Sequence, residues 1–521
     1  MTFTAINTLP QKRKDTVIVK TYVPGGKFAI IDEKGNDVDY TIIKSRDLTD
    51  YVLSQTIMLD PSRKFYVPDQ VLEVTMAIKA NDVPALGYVQ YSIDTQKDSH
   101  KETADKKVLE NKYYTIEVEE NGSLTIVDKA NNVTYKNQGI LVENGDDGDS
   151  FNYSPPRKDM EVFSNESKCT VKISGSDIYD QAEIHFDMVV PADLDERAEG
   201  KVSVTMLVDM TVALRKDSKV IDFNVKVDNK GLSHRLCVLF DSQIVSAFNY
   251  ADQQFGLIKR PNYYEKEMKL YMESMNNKTE KKAGIQELAN WANDQSTWQE
   301  PPISIEPTQS YVSLTDGKTG IAVIPQGVRE YEVLDDSKIR LTLFRTYGFM
   351  GKENLIYRPG RASGERIIET PAAQLLKEME FNFGFTSYAG DINDSDIDTL
   401  AKQYNTNLEV YTYAEFLNGR LIFSQREIEG QNAKIHSLFE TEGNLVVSAV
   451  KKAEEDDGYI IRLYNGKDHK DLDDKIKFNF DIKEAYYTNL KEEKTEEIKV
   501  ENNTISVKEL SHCKFVTIWV K

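Results

Sequence analysis

The sequence predicts a mainly β fold, three consecutive antiparallel β-sandwich units with few short helices, and three observations carry that prediction. Apolar residues recur at every second position through most of the chain. Gly-Asn, Asn-Gly and Asp-Gly pairs punctuate those runs. The aromatic residues, 27 Tyr and 21 Phe against 3 Trp, tilt toward strand formers. A chain of 521 residues suffices for roughly three to four domains of about 150 residues.

The elements follow in chain order. Residues 1–95 form the first unit, because the stretch from Asp94 to Lys107 is nearly free of large apolar side chains and reads as a linker. The second unit, 106–390, holds the clearest alternation. Val202, Val204, Met206, Val208, Met210, Val212 and Leu214 share one face of a strand, and Ile221, Phe223, Val225 and Val227 repeat the pattern after Lys216-Asp-Ser218. The two runs are placed as neighbours across a short turn. Turns are expected at Gly35-Asn36, Asn121-Gly122, Asn144-Gly145 and Asp316-Gly317. From Ser395 to Tyr404 the period changes: Ser395 can cap a helix whose face carries Ile397, Leu400, Ala401 and Tyr404. A second short helix is expected from Gly284 to Trp291. The last unit spans 410–521.

Charge and cysteine content exclude whole classes. Sixty-five Lys plus Arg against 85 Asp plus Glu leave a net charge of −20, which repels a nucleic-acid backbone or an anionic membrane. Cys169, Cys237 and Cys513 are odd in number and lack CxxC spacing, so neither a disulfide framework nor a zinc knuckle is expected, and a reducing compartment fits. The first residues, MTFTAINTLPQKRKD, lack the apolar core of a signal peptide, and nowhere do about 18 apolar residues run together. The expectation is a cytoplasmic protein without a membrane span.

Catalytic signatures are thin: no P-loop, GxGxxG, GxSxG or HExxH occurs. His185-Phe-Asp187 places both polar side chains on one strand face, as a metal pair needs, but further ligands do not stand out and a polar outer face explains it. His469-Lys-Asp471 lies in a charged turn. The segment from Gly145 to Pro156 differs in kind. Its glycines, Asp residues and double proline suit a rigid surface loop presenting Phe151 and Tyr153, with Asp149 between them. Aromatic faces and carboxylates are the parts of sugar recognition; an acidic turn with inward aromatics, or a calcium loop, uses the same residues. Arg358 and Arg361 sit on a Pro-Gly turn, where their guanidinium forks can bind sugar hydroxyls or clamp a carboxylate, including one of the protein's own.

These residues are where a resemblance enters. Asn7-Thr-Leu-Pro10 with Arg13, Pro84-Ala-Leu-Gly-Tyr88, Leu109-Glu-Asn-Lys-Tyr-Tyr114, Gly148-Asp-Ser-Phe-Asn-Tyr-Ser-Pro155, Ser233-His-Arg-Leu236, Gln309-Ser-Tyr-Val-Ser-Leu314, Arg358-Pro-Gly-Arg361, Thr370-Pro-Ala-Ala-Gln374 and Arg462-Leu-Tyr-Asn465 occur in that order. The chain thereby resembles the C-terminal half of glycoside hydrolase family 38 α-mannosidases, most closely the bacterial branch that includes mannosylglycerate hydrolases. The resemblance implies a middle unit like the large super-sandwich of sugar mutarotases. It also implies a retaining glycosidase whose nucleophile, acid/base and zinc site lie on an N-terminal catalytic domain, outside this chain. On that reading no catalytic or metal residue belongs here, and the loop Asp149–Pro155 with Arg358 or Arg361 lends a rim to a mannoside pocket, with Asp149, Phe151 and Tyr153 as contacts. The chain alone should not hydrolyse mannosides. The competing class is a free-standing carbohydrate-binding β protein of mutarotase-like fold, and the two differ in whether an apolar docking patch is exposed. A third reading, a complete hydrolase of another family, predicts activity from the chain itself. A homodimer is the base-rate oligomer.

Overall fold

The computed structural model describes residues 1–54, 69–278, 300–359, 367–417, 436–468 and 470–521. The helix expected over 284–291, Arg361 and His469 lie outside the described residues. Among the described residues all pairings between strands are antiparallel, and the strands gather into seven sheets over three large apolar cores.

The first core lies between a three-stranded sheet of Arg13–Val23, Leu72–Val83 and Tyr40–Asp47 and a five-stranded sheet that contains Thr2–Asn7 and Gly87–Asp94. The edge of the five-stranded sheet is Glu409–Tyr413, which pairs with Thr2–Asn7, Ile6 standing opposite Glu409. The chain therefore returns to its first sheet after the helix and before the last two sheets begin. The segment read as a linker also contributes structure: Ala104–Asp105 adds a short edge strand beside Lys168–Gly175.

The second core is the largest. A ten-stranded sheet packs its inner face, with Phe223, Met210 and Phe383, against a six-stranded and a four-stranded sheet. The expected hairpin is present: Val204–Arg215 pairs with Ile221–Asp228, Val212 opposite Phe223. Burial alternates along both strands because alternate side chains point to opposite faces of the pleat. The turn glycines Gly35, Gly122 and Gly317 adopt φ of 84°, 80° and 82°. Asn144-Gly145 is not a turn. Gly145 ends the strand Ile140–Gly145, and a Cβ there would stand 2.6 Å from Pro156 and 2.7 Å from Arg197, so the glycine serves close approach.

The helix over Ile397–Asn405 buries Ile397 and Ala401 against the outer face of the ten-stranded sheet. Ser395 does not hold the cap position, and its hydroxyl accepts only a long bond of 3.5 Å from the Ile397 N–H. The same hydroxyl donates to the carbonyl of Ile392, closing the 3₁₀ turn Ile392–Asp394, and Asp396 takes the cap position without a side-chain bond. The third core lies between the final two sheets, with Ile461, Ile476, Ile505 and Ile518 inside.

Candidate functional site

Three adjacent strands of the six-stranded sheet, Ile140–Gly145, His234–Asp241 and Lys338–Arg345, end together, with Gly145 opposite His234 and Arg235 opposite Arg345. Their antiparallel register brings four sequence-distant motifs to one end of the sandwich. The N–H of Asp146 donates to the carbonyl of Ser233 at 2.9 Å and that of Thr346 to the carbonyl of His234 at 2.7 Å. Gln374 accepts from the Ser233 N–H at 2.8 Å and donates to its hydroxyl at 3.1 Å.

On this platform the loop 146–155 is built around Asp149. Its carboxylate, fully buried, accepts from the backbone N–H groups of Phe151 (2.9 Å), Asn152 (3.1 Å) and Lys352 (2.9 Å) and pairs with Arg358. Arg358, also buried, donates further to the Asn152 side chain and to the carbonyl of Lys352. Burial pushes the Asp149 carboxyl up, but the bonds from Arg358 and the backbone outweigh it and hold the group below the ordinary carboxylate range. Arg345 clamps the loop from beneath. It forks onto Asp146 at 2.6 and 3.2 Å and donates to the carbonyls of Asp149 and Asn152 at 2.8 and 2.9 Å. Burial moves the Asp146 carboxyl upward despite Arg345. Lys352 pairs with Asp147. At Gly148 a Cβ would fall 2.0 Å from the Asn152 carbonyl oxygen, so only glycine lets the loop close this tightly.

A buried polar ladder supports the platform. Tyr153 accepts from the Asn144 amide at 3.0 Å, and its ring lies 3.9 Å from the guanidinium of Arg235. Arg235 donates to Asn144 at 2.9 Å and to Glu332 at 2.7 Å. One layer further, Glu143 receives Arg197 and stands 3.0 Å from Nδ1 of His234.

The sequence-predicted residues thus divide. Asp149 and Arg358 come together, but onto each other: the arginine clamps one of the protein's own carboxylates. Tyr153 is turned inward beneath Arg235, contrary to its expected presentation on the surface. Phe151 stands 60% exposed at the loop tip. Around it, on segments joined to the loop by the Ser150–Phe349, Ser150–Met350, Met350–Ile368 and Tyr357–Ser154 hydrogen bonds, Met350, Ile356, Ile367 and Ile368 are also exposed. Sequence reasoning missed Arg345, Asp146 and the pair Asn144–Arg235. The signal for Asn144 and Arg235 was available as polar residues inside the apolar runs Ile140–Gly145 and His234–Asp241.

The donors of the described residues do not fit a zinc ion. Among the described residues no group of three or more His, Cys, Asp and Glu side chains gathers to hold a metal. His185 has a carboxylate at each ring nitrogen, Asp209 of the next strand at 2.7 Å and Asp187 at 3.3 Å, and Asp187 also pairs with Lys168. Hydrogen bonding to Asp209 raises the His185 pKa, favouring the imidazolium, which is no metal ligand. His185-Phe-Asp187 is part of a polar outer strand face.

Stacked antiparallel sandwiches, with a loop pinned by ion pairs at one end, define a multi-sandwich, mainly β protein. Residues 109–349 match the model of the glycosyl hydrolases family 38 C-terminal domain, and residues 444–517 that of the family 38 C-terminal beta sandwich domain. The chain belongs to glycoside hydrolase family 38, as its C-terminal β portion. It is 24% identical over 420 residues to a Halalkalibacterium halodurans protein named "Putative mannosylglycerate hydrolase", a match covering 77% of this chain and 40% of that protein. Among solved structures, an alpha-mannosidase from Enterococcus faecalis V583 shares the fold with a TM-score of 0.73 at 19% identity, covering 100% of this chain and 56% of that one. A glycosyl hydrolase family 38 protein from Enterococcus faecalis gives 0.72 at 18% identity, covering 100% and 58%. The chain therefore spans about two fifths of the curated relative's length and somewhat over half of the two solved chains.

Proposed function

We propose that this chain is the β portion of a retaining α-mannosidase-type glycoside hydrolase, that its loop end borders the sugar pocket, and that bond cleavage is carried out by another region of the enzyme. The observation that carries the reading is the set of exposed apolar side chains formed by Phe151, on a loop fixed by buried ion pairs, and Met350, Ile356, Ile367 and Ile368 on the segments bonded to it. Exposed apolar groups on a rigid support fit a surface covered by a partner, and the greater length of the relatives supplies an occupant, the N-terminal catalytic region of the same enzyme. A free-standing sugar-binding protein accounts for Phe151 but gives no reason for the exposed Met350, Ile356, Ile367 and Ile368.

In this role the chain positions and dries. Phe151 offers a flat apolar face to the C–H surface of the sugar or to the catalytic region beside it, and the clamps of Arg358 on Asp149 and Arg345 on Asp146 keep that face still. The two-step retaining route needs a nucleophile and an acid/base about 5 to 5.5 Å apart; Asp146, Asp147 and Asp149 are each held by an arginine or a lysine and are not offered for it. Zinc, held by residues outside this chain, would grip sugar hydroxyls. The substrate class is a mannoside such as mannosylglycerate, and the three free cysteines fit the cytoplasm.

The test is an assay on aryl α-mannosides. The chain alone should give no turnover with or without zinc; joined to a family 38 catalytic region it should, and Phe151→Ala should lower kcat/KM about tenfold without changing the melting temperature. Turnover by the lone chain, or indifference of the joined enzyme to Phe151→Ala, overturns the proposal.

A further inference from the structure

A cavity of about 590 Å³ lies between the strand Arg13–Val23 of the first sandwich and the outer face of the ten-stranded sheet, closed at one side by the helix Ile397–Asn405. Its floor is two cross-strand rows. One runs Thr211, Asn224, Asn382 and Gln326 over four adjacent strands. The next runs Gln181, Ala213, Asp222 and Gly384, in which the small Ala213 lines the cavity beside the amides and Gly384 is covered by Val220 and Tyr404. The cavity lies on the opposite face of this sheet from the core and away from the loop end.

The polar groups of the floor are only partly engaged. Asn224 donates to Asn382 at 2.8 Å and to Glu380 at 2.7 Å, which leaves the Asn382 N–H₂ group open. Among the described residues no hydrogen bond holds the amides of Gln326 and Asn407, the hydroxyl of Thr211 or that of Tyr404, and all four side chains line the cavity. Burial raises the Tyr404 pKa, so the phenol keeps its proton and can both donate and accept. On the facing sheet Ile18 and Ile43 are exposed, an apolar patch opposite an amide row.

The charges at the cavity's end cancel. Arg215 forks onto Asp222 at 3.0 and 3.1 Å and binds Asp15 at 2.5 Å, and Arg13 binds the other oxygen of Asp15 at 2.7 Å. Two guanidinium groups thus meet two carboxylates, and among the described lining residues Glu409 is the remaining charge. Among the described residues the cavity offers an ionic ligand no free cation, and it offers a hydroxyl-bearing one several unused amides. Its volume lies within the ~300–1,000 Å³ of small-molecule sites.

We propose that this cavity binds a neutral saccharide, its hydroxyls meeting the amide row and Tyr404 and its C–H face resting on Ile18 and Ile43. The site stands independently of the reading given for the loop end. Neutral ligands use neutral donors and acceptors, each bond contributing modestly, so affinity is weak and depends on several amides together.

Titration calorimetry of the whole chain with methyl α-mannoside and a neutral mannobiose tests it, with mannose 6-phosphate as the anionic comparator. The neutral sugars should bind saturably and the phosphate more weakly. Gln326→Ala combined with Asn407→Ala should weaken binding about tenfold at an unchanged melting temperature, since neither amide has a partner to lose. Ala213→Trp, which fills the floor, should abolish it. The proposal is overturned if neither neutral sugar binds, if the phosphate binds more tightly, if the amide pair can be removed without effect, or if Phe151→Ala abolishes binding and so places the sugar at the loop end.

Discussion

Replacing Arg358 by Met tests how the loop end is held. Met keeps most of the length and the apolar stem but removes the guanidinium that pairs with Asp149 and donates to Asn152 and Lys352. The Asp149 carboxylate then stays buried with no cation, a change that generally costs about 3 to 5 kcal/mol. Three backbone N–H groups at 2.9 to 3.1 Å remain on it, so the lower end, about 3 kcal/mol, is expected. A chain with three separate cores does not unfold in one step, and a global midpoint would dilute a local loss. Hydrogen exchange read by mass spectrometry on peptides covering 149–152 and 352 is the suitable assay, and about 3 kcal/mol corresponds to exchange faster by about a hundredfold. The dependence on pH has a definite sign. In the native chain the Asp149 pKa is depressed, so its contribution is present above the unfolded value of about 3.9 and is lost as pH falls through the lower folded one. Without Arg358 burial prevails and raises that pKa, so the deficit of the variant should narrow as the pH is brought below about 4. Unchanged exchange in Arg358→Met, or a deficit that widens on acidification, refutes the account of Asp149 as the hub of the loop.

Tyr153→Phe removes the hydroxyl that accepts from Asn144 and should cost about 1 kcal/mol, read as loss of exchange protection in Ile140–Gly145, whereas no change would mean that the hydroxyl bond at 3.0 Å contributes nothing. Asp252, half-buried and near Asp398, has its pKa raised by desolvation to about 6 although Ser310 donates to it. Its raised folded pKa contributes stability that is full below about 3.9 and disappears as pH rises through about 6. Asp252→Asn should therefore flatten melting temperature against pH over that window and gain on the order of 2 to 3 kcal/mol at pH 8 relative to the native chain; an unaltered profile would contradict the raised value.

The strands were legible because their physics is local. Val204–Arg215 and Ile221–Asp228 alternate by residue, the pattern any half-buried strand must show, and Lys216-Asp-Ser218 marks the turn between them. The helix was legible for the same reason, though its cap was not: Ser395 had a competing partner in the Ile392 carbonyl, one turn earlier. The candidate loop could be located from its glycines and prolines, but the direction of each side chain could not. Whether Asp149 faces out or in depends on Arg358, brought next to it by strand register far along the chain. Tyr153 turns inward because Arg235 and Asn144, two polar residues inside apolar strands, require partners there. Asn144-Gly145 misled in the opposite sense, a turn signature occupied by a strand end where two neighbours leave no room for a Cβ.

The pairing of Thr2–Asn7 with Glu409–Tyr413 has a consequence for how the protein is made. The opening strand leaves the ribosome with one flank unsatisfied and must wait until the whole middle sandwich has been synthesised before its neighbour arrives, a delay of the kind that favours capture by chaperones or edge-to-edge clumping. A fragment ended at residue 95 would carry that bare edge permanently, so a truncation designed to isolate the leading sheets should include a covalent graft of the 409–413 segment.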